Sequence, residues 1–271
     1  MNTDIQKERY KSIRKANELI QKSRFDLTTQ QQKVVLYLIS QITPFDEDFK
    51  QYEFDIREFC KVCGIDYDNG GNYELLKQQI KKIADKSIWV KLGDDDGETL
   101  LRWIEKPYIN KKSGIIRIKL DNDMKPFLLK LKKNYTQYDL LYTLHFKSKY
   151  SIRLYELIKS IHYNDLETYK RIYSIEEIRR LLGVEDGKLL EWKNLKARVL
   201  NTAIEEVNKY SDKNVSLDCI KRVNKVVGIE LTITSKDSID ALNILADIEK
   251  EMDGQISFFD DGEPKEEDNN D

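Results

Sequence analysis

The chain has 271 residues, of which 40% are hydrophobic and 35% charged, a balance that supports packed cores and lies outside the disordered range. Its mean hydropathy is -0.63. No apolar run reaches the roughly 20 residues of a membrane span, and no basic segment with an apolar stretch opens it. The expectation is therefore a cytoplasmic protein with no membrane partner, and three cysteines suit a reducing compartment. The formal charge of -2 hides an asymmetry. From Asp247 onward there are eleven acids and two bases, so the first 246 residues carry about +7. A basic body with an acidic tail suits a polyanion partner.

In chain order, the first strong signal is a long amphipathic helix from Thr28. Thr28 and Gln31 stand in capping-box spacing, and Val34, Val35, Leu38, Ile39 and Ile42 share one face. A short strand follows (Tyr52-Glu53-Phe54), then a short helix that opens with Asp55 and Glu58 and stops at Gly64. A turn leads to a helix over about Tyr73–Lys86. Strands follow at Ser87–Leu92, Leu100–Tyr108 and Ile115–Leu120, separated by the polar turns Asp94–Gly97 and Asn110–Gly114.

The same order then returns. A helix over Lys149–His162 precedes the strand Arg171-Ile172-Tyr173. A short helix runs from Ser174 and Glu177 to Gly183, and a long helix covers Leu190–Tyr210. Strands at Val215–Ile220 and Val226–Ile233 flank a turn near Arg222–Lys225. The match is gapless: Asp55 with Ser174, Gly64 with Gly183, Leu76 with Leu195 and Ala84 with Ala203 are all 119 apart. Agreement of caps, glycines and loop lengths at one offset marks an internal duplication. Helix, strand, helix, turn, helix, hairpin is the order of a winged helix. The expected fold is α+β and helix-rich, with winged helices over 7–131 and 138–236. A basic linker at 132–137 joins them, a helix at 237–253 follows, and an acidic disordered tail occupies 254–271.

In such a motif the second helix of each helix-turn-helix enters the major groove and the hairpin contacts phosphates. The residues expected to read base edges are Lys193, Asn194, Lys196, Ala197, Arg198 and Asn201 in the second copy. In the first they are Asn72, Tyr73, Lys77, Gln78 and Lys81. Arg can fork onto guanine, and Asn or Gln can pair with adenine. Lys82, Lys111, Lys112, Arg117, Lys119, Lys147, Lys149, Lys221, Arg222 and Lys225 are expected on phosphates.

Several segments carry a family resemblance. They are Lys15–Ile20, Leu27-Thr28 with the helix to Ile42, Ser151–Lys159, Asn194–Ile204, and Val226–Leu231. Over about Ile13 to Thr234 the chain resembles the theta-type plasmid replication initiators. The resemblance implies two winged-helix domains that bind directly repeated origin sites (iterons), open the origin and recruit host replication proteins such as the helicase or the host initiator. It also implies monomers on iterons and dimers, formed mainly through the first domain, that repress the initiator's own gene. A repressor with no replication role is the alternative.

Gln255-Ile256-Ser257-Phe258-Phe259 resembles the short peptide by which bacterial replication proteins hold the sliding clamp, with Phe258 where Leu is usual. Its chemistry fits an apolar groove with a polar rim. Enzymatic signatures are weak, and neither a metal nor a cofactor is expected. Cys60 and Cys63 lack the second pair that zinc needs, and His145 and His162 are isolated. The segment Gly183–Lys188 is one residue short of a phosphate loop. A nicking enzyme built on Tyr135 or Tyr138 is the remaining catalytic option.

Overall fold

A computed structural model describes residues 4–24, 26–65, 72–92, 97–162, 164 and 167–260; for 72, 92 and 254–260 only the backbone is described. The acidic residues beyond 260 and the turn at 93–96 lie outside the described residues.

The first copy opens with α1 (Ile5–Arg9), β1 (Ser12–Ala16) and α2 (Asn17–Gln21), followed by α3 (Thr29–Ser40). The expected capping box starts α3. Thr28 Oγ1 accepts from Gln31 N at 3.3 Å and Gln31 Oε1 accepts from Thr28 N at 3.1 Å. Nearly every side of α3 is buried, so it forms the centre of this domain. Then come β2 (Tyr52–Asp55), α4 (Ile56–Cys63), α5 (Asn72–Asp85), β3 (Ser87–Leu92), β4 (Gly97–Arg102), β5 (Ile104–Asn110) and β6 (Ile115–Leu120). A 3-10 turn at Asn122–Met124 and α6 (Lys125–Leu128) end the copy.

The second copy repeats the plan: β7 (Tyr135–Asp139), α7 (Leu140–His145), α8 (Lys149–Ile161), β8 (Tyr169–Ser174), α9 (Ile175–Leu181), α10 (Trp192–Leu195), α11 (Thr202–Tyr210), β9 (Lys213–Arg222) and β10 (Lys225–Ser235). The helix α12 (Ser238–Asp260) is the last element among the described residues. Both copies hold a three-stranded antiparallel sheet of the same topology, β2-β6-β5 and β8-β10-β9. Alternation places Ile116, Ile118 and Leu120 of β6 inward and its bases outward. Gly228 lets β10 approach β8, because a Cβ there would stand 2.8 Å from the Tyr173 carbonyl oxygen. One apolar core runs through both copies.

Four expectations are corrected. The segment placed in a linker at 132–137 is in part a strand: β7 pairs antiparallel with β1, Ile13 opposite Tyr138, so the junction is hydrogen-bonded structure. The single strand expected over Leu100–Tyr108 is two strands. Trp103 is fully buried at the break, β4 pairs with β3, and β5 pairs with β6. Domain 1 therefore carries an extra hairpin, β3–β4, and its wing is β5–β6. The closing helix does not end at Asp253 but continues to Asp260, carrying the backbone of Gln255, Ile256, Ser257, Phe258 and Phe259 with it; their side chains lie outside the described residues.

The fourth correction concerns the helix expected over Leu190–Tyr210. It starts at Trp192 and is not uniform: Lys196–Asn201 is a π-helical segment between α10 and α11. Leu195, Val199, Ala203 and Val207 are all buried at four-residue steps. In an α-helix each such step overshoots a turn by about 40°. A wider π turn returns these side chains to one face. Thr202 Oγ1 donates to the Ala197 carbonyl at 3.3 Å inside this stretch.

Among the described residues no helix is long and apolar enough to cross a membrane.

Candidate nucleic-acid interface

Each helix-turn-helix is built by the same local chemistry. Asp55 Oδ1 accepts from Arg57 N at 2.8 Å and Glu58 N at 3.1 Å, capping α4. Ser174 Oγ accepts from Glu177 N at 3.1 Å, capping α9. Both helices stop on a left-handed glycine, Gly64 at φ 63° and Gly183 at φ 70°. After each glycine the next amide reaches back to the helix: Ile65 N to Cys60 O at 2.8 Å and Val184 N to Arg179 O at 2.9 Å. This is the Schellman stop, made twice at the same offset.

The second helix of each motif is anchored to the start of its central helix. In domain 1, Gln31 Nε2 donates to Gln79 Oε1 of α5 at 2.9 Å. In domain 2, Glu206 Oε2 of α11 accepts from Lys147 N at 3.1 Å and Ser148 N at 3.2 Å, at the N-terminus of α8. A carboxylate there also complements the helix dipole. The two helix starts touch: Thr29 Oγ1 donates to Lys147 O at 3.1 Å, and Gln32 Nε2 donates to Lys149 O at 3.4 Å. The second helices of both motifs thus hang from one junction.

On α5, Leu76, Ile80 and Ile83 face the core while Lys77, Gln78, Lys81 and Lys82 are exposed. Lys81 pairs with Asp85 of its own helix, and Lys77 stands 4.0 Å from Glu74. Exposed pairs of this kind are worth little and leave the bases available. Tyr73 is half-buried, with Lys111 Nζ at 5.5 Å from its ring, so the wing turn reaches the start of α5. The side chain of Asn72 lies outside the described residues. On the second helix Lys193, Ala197, Arg198 and Asn201 are exposed, while Asn194 and Lys196 are half-buried. Asn194 Nδ2 donates to Glu191 at 3.2 Å.

The phosphate candidates divide into two groups. Lys82, Lys111, Lys112, Lys147, Lys221, Arg222 and Lys225 are exposed. Arg117 is held by Glu53 at 2.6 Å and lies over the Tyr108 ring at 5.2 Å, while Lys119 is 3.5 Å from Glu105. Lys149 is half-buried beside Glu185 at 4.0 Å. These three bases therefore carry partial compensation of their own.

Two cross-domain contacts escaped the sequence reading. Arg24, ahead of α3, donates to Asp186 at 2.8 Å and to the Val184 carbonyl at 2.9 Å, gripping the turn of the second helix-turn-helix. Deeper in, the Glu156 carboxylate of α8 takes Lys15 of β1 at 2.5 Å, Arg153 at 2.8 Å and the Tyr138 hydroxyl at 2.5 Å. Arg153 also donates to Ile20 O at 2.9 Å and Leu181 O at 3.3 Å. Burial alone would raise the Glu156 pKa, but the two cations hold it below its ordinary value. Burial, then Glu156, pushes the Tyr138 hydroxyl well up. The available signal was a Lys in an otherwise strand-like run and a Glu inside the apolar run of α8, charges at core positions that require partners.

The sequence comparisons agree with this architecture. Residues 12–159 match the family described as Initiator Replication protein, WH1, and residues 174–233 match Initiator Rep protein, WH2. The chain belongs to the replication-initiator family. A replication initiation protein of Escherichia coli is 25% identical over 209 residues, covering 75% of this chain. The chain spans 64% of that relative's length. Among solved structures, the Pi initiator protein in complex with iteron DNA superimposes with a TM-score of 0.65 at 22% identity, covering 85% of this chain and 99% of that one. At that identity the likeness concerns the fold.

Proposed function

We propose that this initiator-family chain starts plasmid replication by binding directly repeated origin sites as double-stranded DNA, one reading helix per major-groove segment. The observation that carries the reading is the duplicated helix-turn-helix. Both of its second helices expose bases (Lys77, Lys81 and Lys82; Lys193 and Arg198), and both hang from one junction. The pairing of β1 with β7 and the Glu156 network oppose independent motion of the two readers, which suits sites of constant spacing. The similarity to a protein solved with iteron DNA supports the same reading.

Arg198, Asn201, Lys193, Lys77, Gln78 and Lys81 are assigned to base edges. Lys82, Lys111, Lys112, Lys147, Lys221, Arg222 and Lys225 are assigned to phosphates. Opening of adjacent DNA, recruitment of the host helicase or initiator, autorepression as a dimer, and engagement of the sliding clamp by Gln255–Phe259 belong to the same reading. The chain acts as a binding protein, not an enzyme. Of the two candidate nicking tyrosines, Tyr138 is buried and held by Glu156, a poor position for a nucleophile, while Tyr135 is exposed. Supercoiled origin DNA incubated with the chain and magnesium should stay unnicked, and a nick would restore the enzyme reading.

The test is a footprint of the purified chain across its own gene and upstream DNA at near-physiological salt. Protection of several direct repeats at constant helical phase is expected. Protection of a single inverted repeat at the promoter would replace the reading with that of a repressor. Removal of Gln255–Phe259 should then leave activity in cells intact, whereas an initiator that uses the clamp loses replication.

A further inference from the structure

The tip of the second wing is unusual. Arg222 and Lys225 close the hairpin as a cross-strand pair, leaving the two-residue turn Val223-Asn224. Val223 has φ 55°, the left-handed conformation that glycine or asparagine normally supplies at this place in a hairpin. For a β-branched side chain this is a genuine outlier. Folding gains nothing visible in return, because the Val223 side chain is 95% exposed. A single exposed apolar residue is ordinary, but one held in a disfavoured backbone at the outermost point of a wing is not. The first wing turns differently, with Gly114 in the left-handed position at φ 66° and Lys111-Lys112-Ser113 exposed beside it.

The surroundings identify the occupant. Lys221, Arg222 and Lys225 flank the tip, and all three are exposed. An apolar point framed by three cations matches a groove with phosphates on both rims and stacked bases on its floor. We propose that Val223 is a minor-groove wedge, pressing its two methyl groups against a base step and kinking the duplex while its basic flanks hold the two backbones. Apolar wedges of this kind partly unstack a step and bend DNA toward the major groove, and they prefer the easily unstacked pyrimidine–purine steps. The wedge thus supplies specificity at a position that no hydrogen-bonding side chain reads. This assignment rests on the DNA-binding reading above.

The experiment uses the full chain and a duplex carrying one protected repeat, defined by the footprint, in a set of circularly permuted fragments. Val223→Asn and Val223→Gly both suit the left-handed turn, so both should leave thermal stability unchanged or raised. Each should straighten the bound DNA by about 20° and weaken the repeat roughly 5- to 10-fold, with little change on random DNA. Val223→Leu should keep the bend. Equal bend angle and equal affinity in wild type and Val223→Asn would overturn the wedge while leaving the DNA-binding reading in place. Failure of the wild-type chain to bind any repeat would overturn both.

Discussion

Replacing Glu156 by Gln removes the charge that compensates two buried cations. Glu156, Lys15 and Arg153 are each 1% exposed, so solvent cannot take over the lost role. Breaking a buried pair from one side typically costs about 3–5 kcal/mol, because an uncompensated charge remains inside. Set against a usual total of about 5–15 kcal/mol, that is a large share, and at about 2–4 °C per kcal/mol the midpoint should fall by roughly 6–20 °C. Thermal unfolding at pH 7, followed by circular dichroism, measures the midpoint, and urea unfolding measures the free-energy loss. Adding Lys15→Met to Glu156→Gln removes one stranded cation and should recover part of the loss. The pH dependence has a definite sign. The Glu156 carboxyl is held below its ordinary 4.5, so its contribution is complete above that value and is lost as pH falls through the folded-state pKa. A loss under about 1 kcal/mol, or no recovery in the double variant, would refute the argument that this network locks the two domains.

Arg198→Ala should relax specificity at one base position, at a cost of about 1–3 kcal/mol, in competition binding against single-position variants of the repeat. Equal weakening on specific and random DNA would remove Arg198 from base readout. Lys112→Ala should weaken all sequences alike and lower the slope of log affinity against log salt by about 1, read from a salt titration; a sequence-dependent loss would contradict a phosphate role. Burial holds the Lys33 ammonium of α3 down at about 8, with Glu206 and Lys147 as its charged surroundings. Its ordinary value is 10.5, so the penalty is full below pH 8 and fades as pH rises toward 10.5. Lys33→Met should therefore stabilise the fold at pH 7 by about 1–2 kcal/mol, with a smaller gain at pH 9.5. A destabilised variant at pH 7 would show that Lys33 has a compensating partner.

The sequence by itself determined everything set by neighbours within a few residues. The caps at Thr28, Asp55 and Ser174, the glycine stops at Gly64 and Gly183, and the buried face of α5 follow from hydrogen bonds and periodicities spanning at most five positions, whereas α3 and α8, read as one-faced, are buried on nearly every side by the packing of the two copies. Repetition of those local signals at one offset was enough to show the duplication, and with it two winged helices and two exposed basic helix faces. The π turn was half legible, since the four-residue spacing of Leu195, Val199, Ala203 and Val207 already disagrees with an ideal helix. Tertiary structure alone decided how the copies join. Nothing near Ser12–Ala16 marks Tyr135–Asp139 as its partner strand. Nor does any local pattern pair Lys15 with Glu156 or Arg24 with Asp186, because these contacts are chosen by which surfaces remain unburied after each copy has folded. The split at Trp103 has the same origin: the residue is as strand-prone as its neighbours, and it leaves the ladder because the core takes its ring.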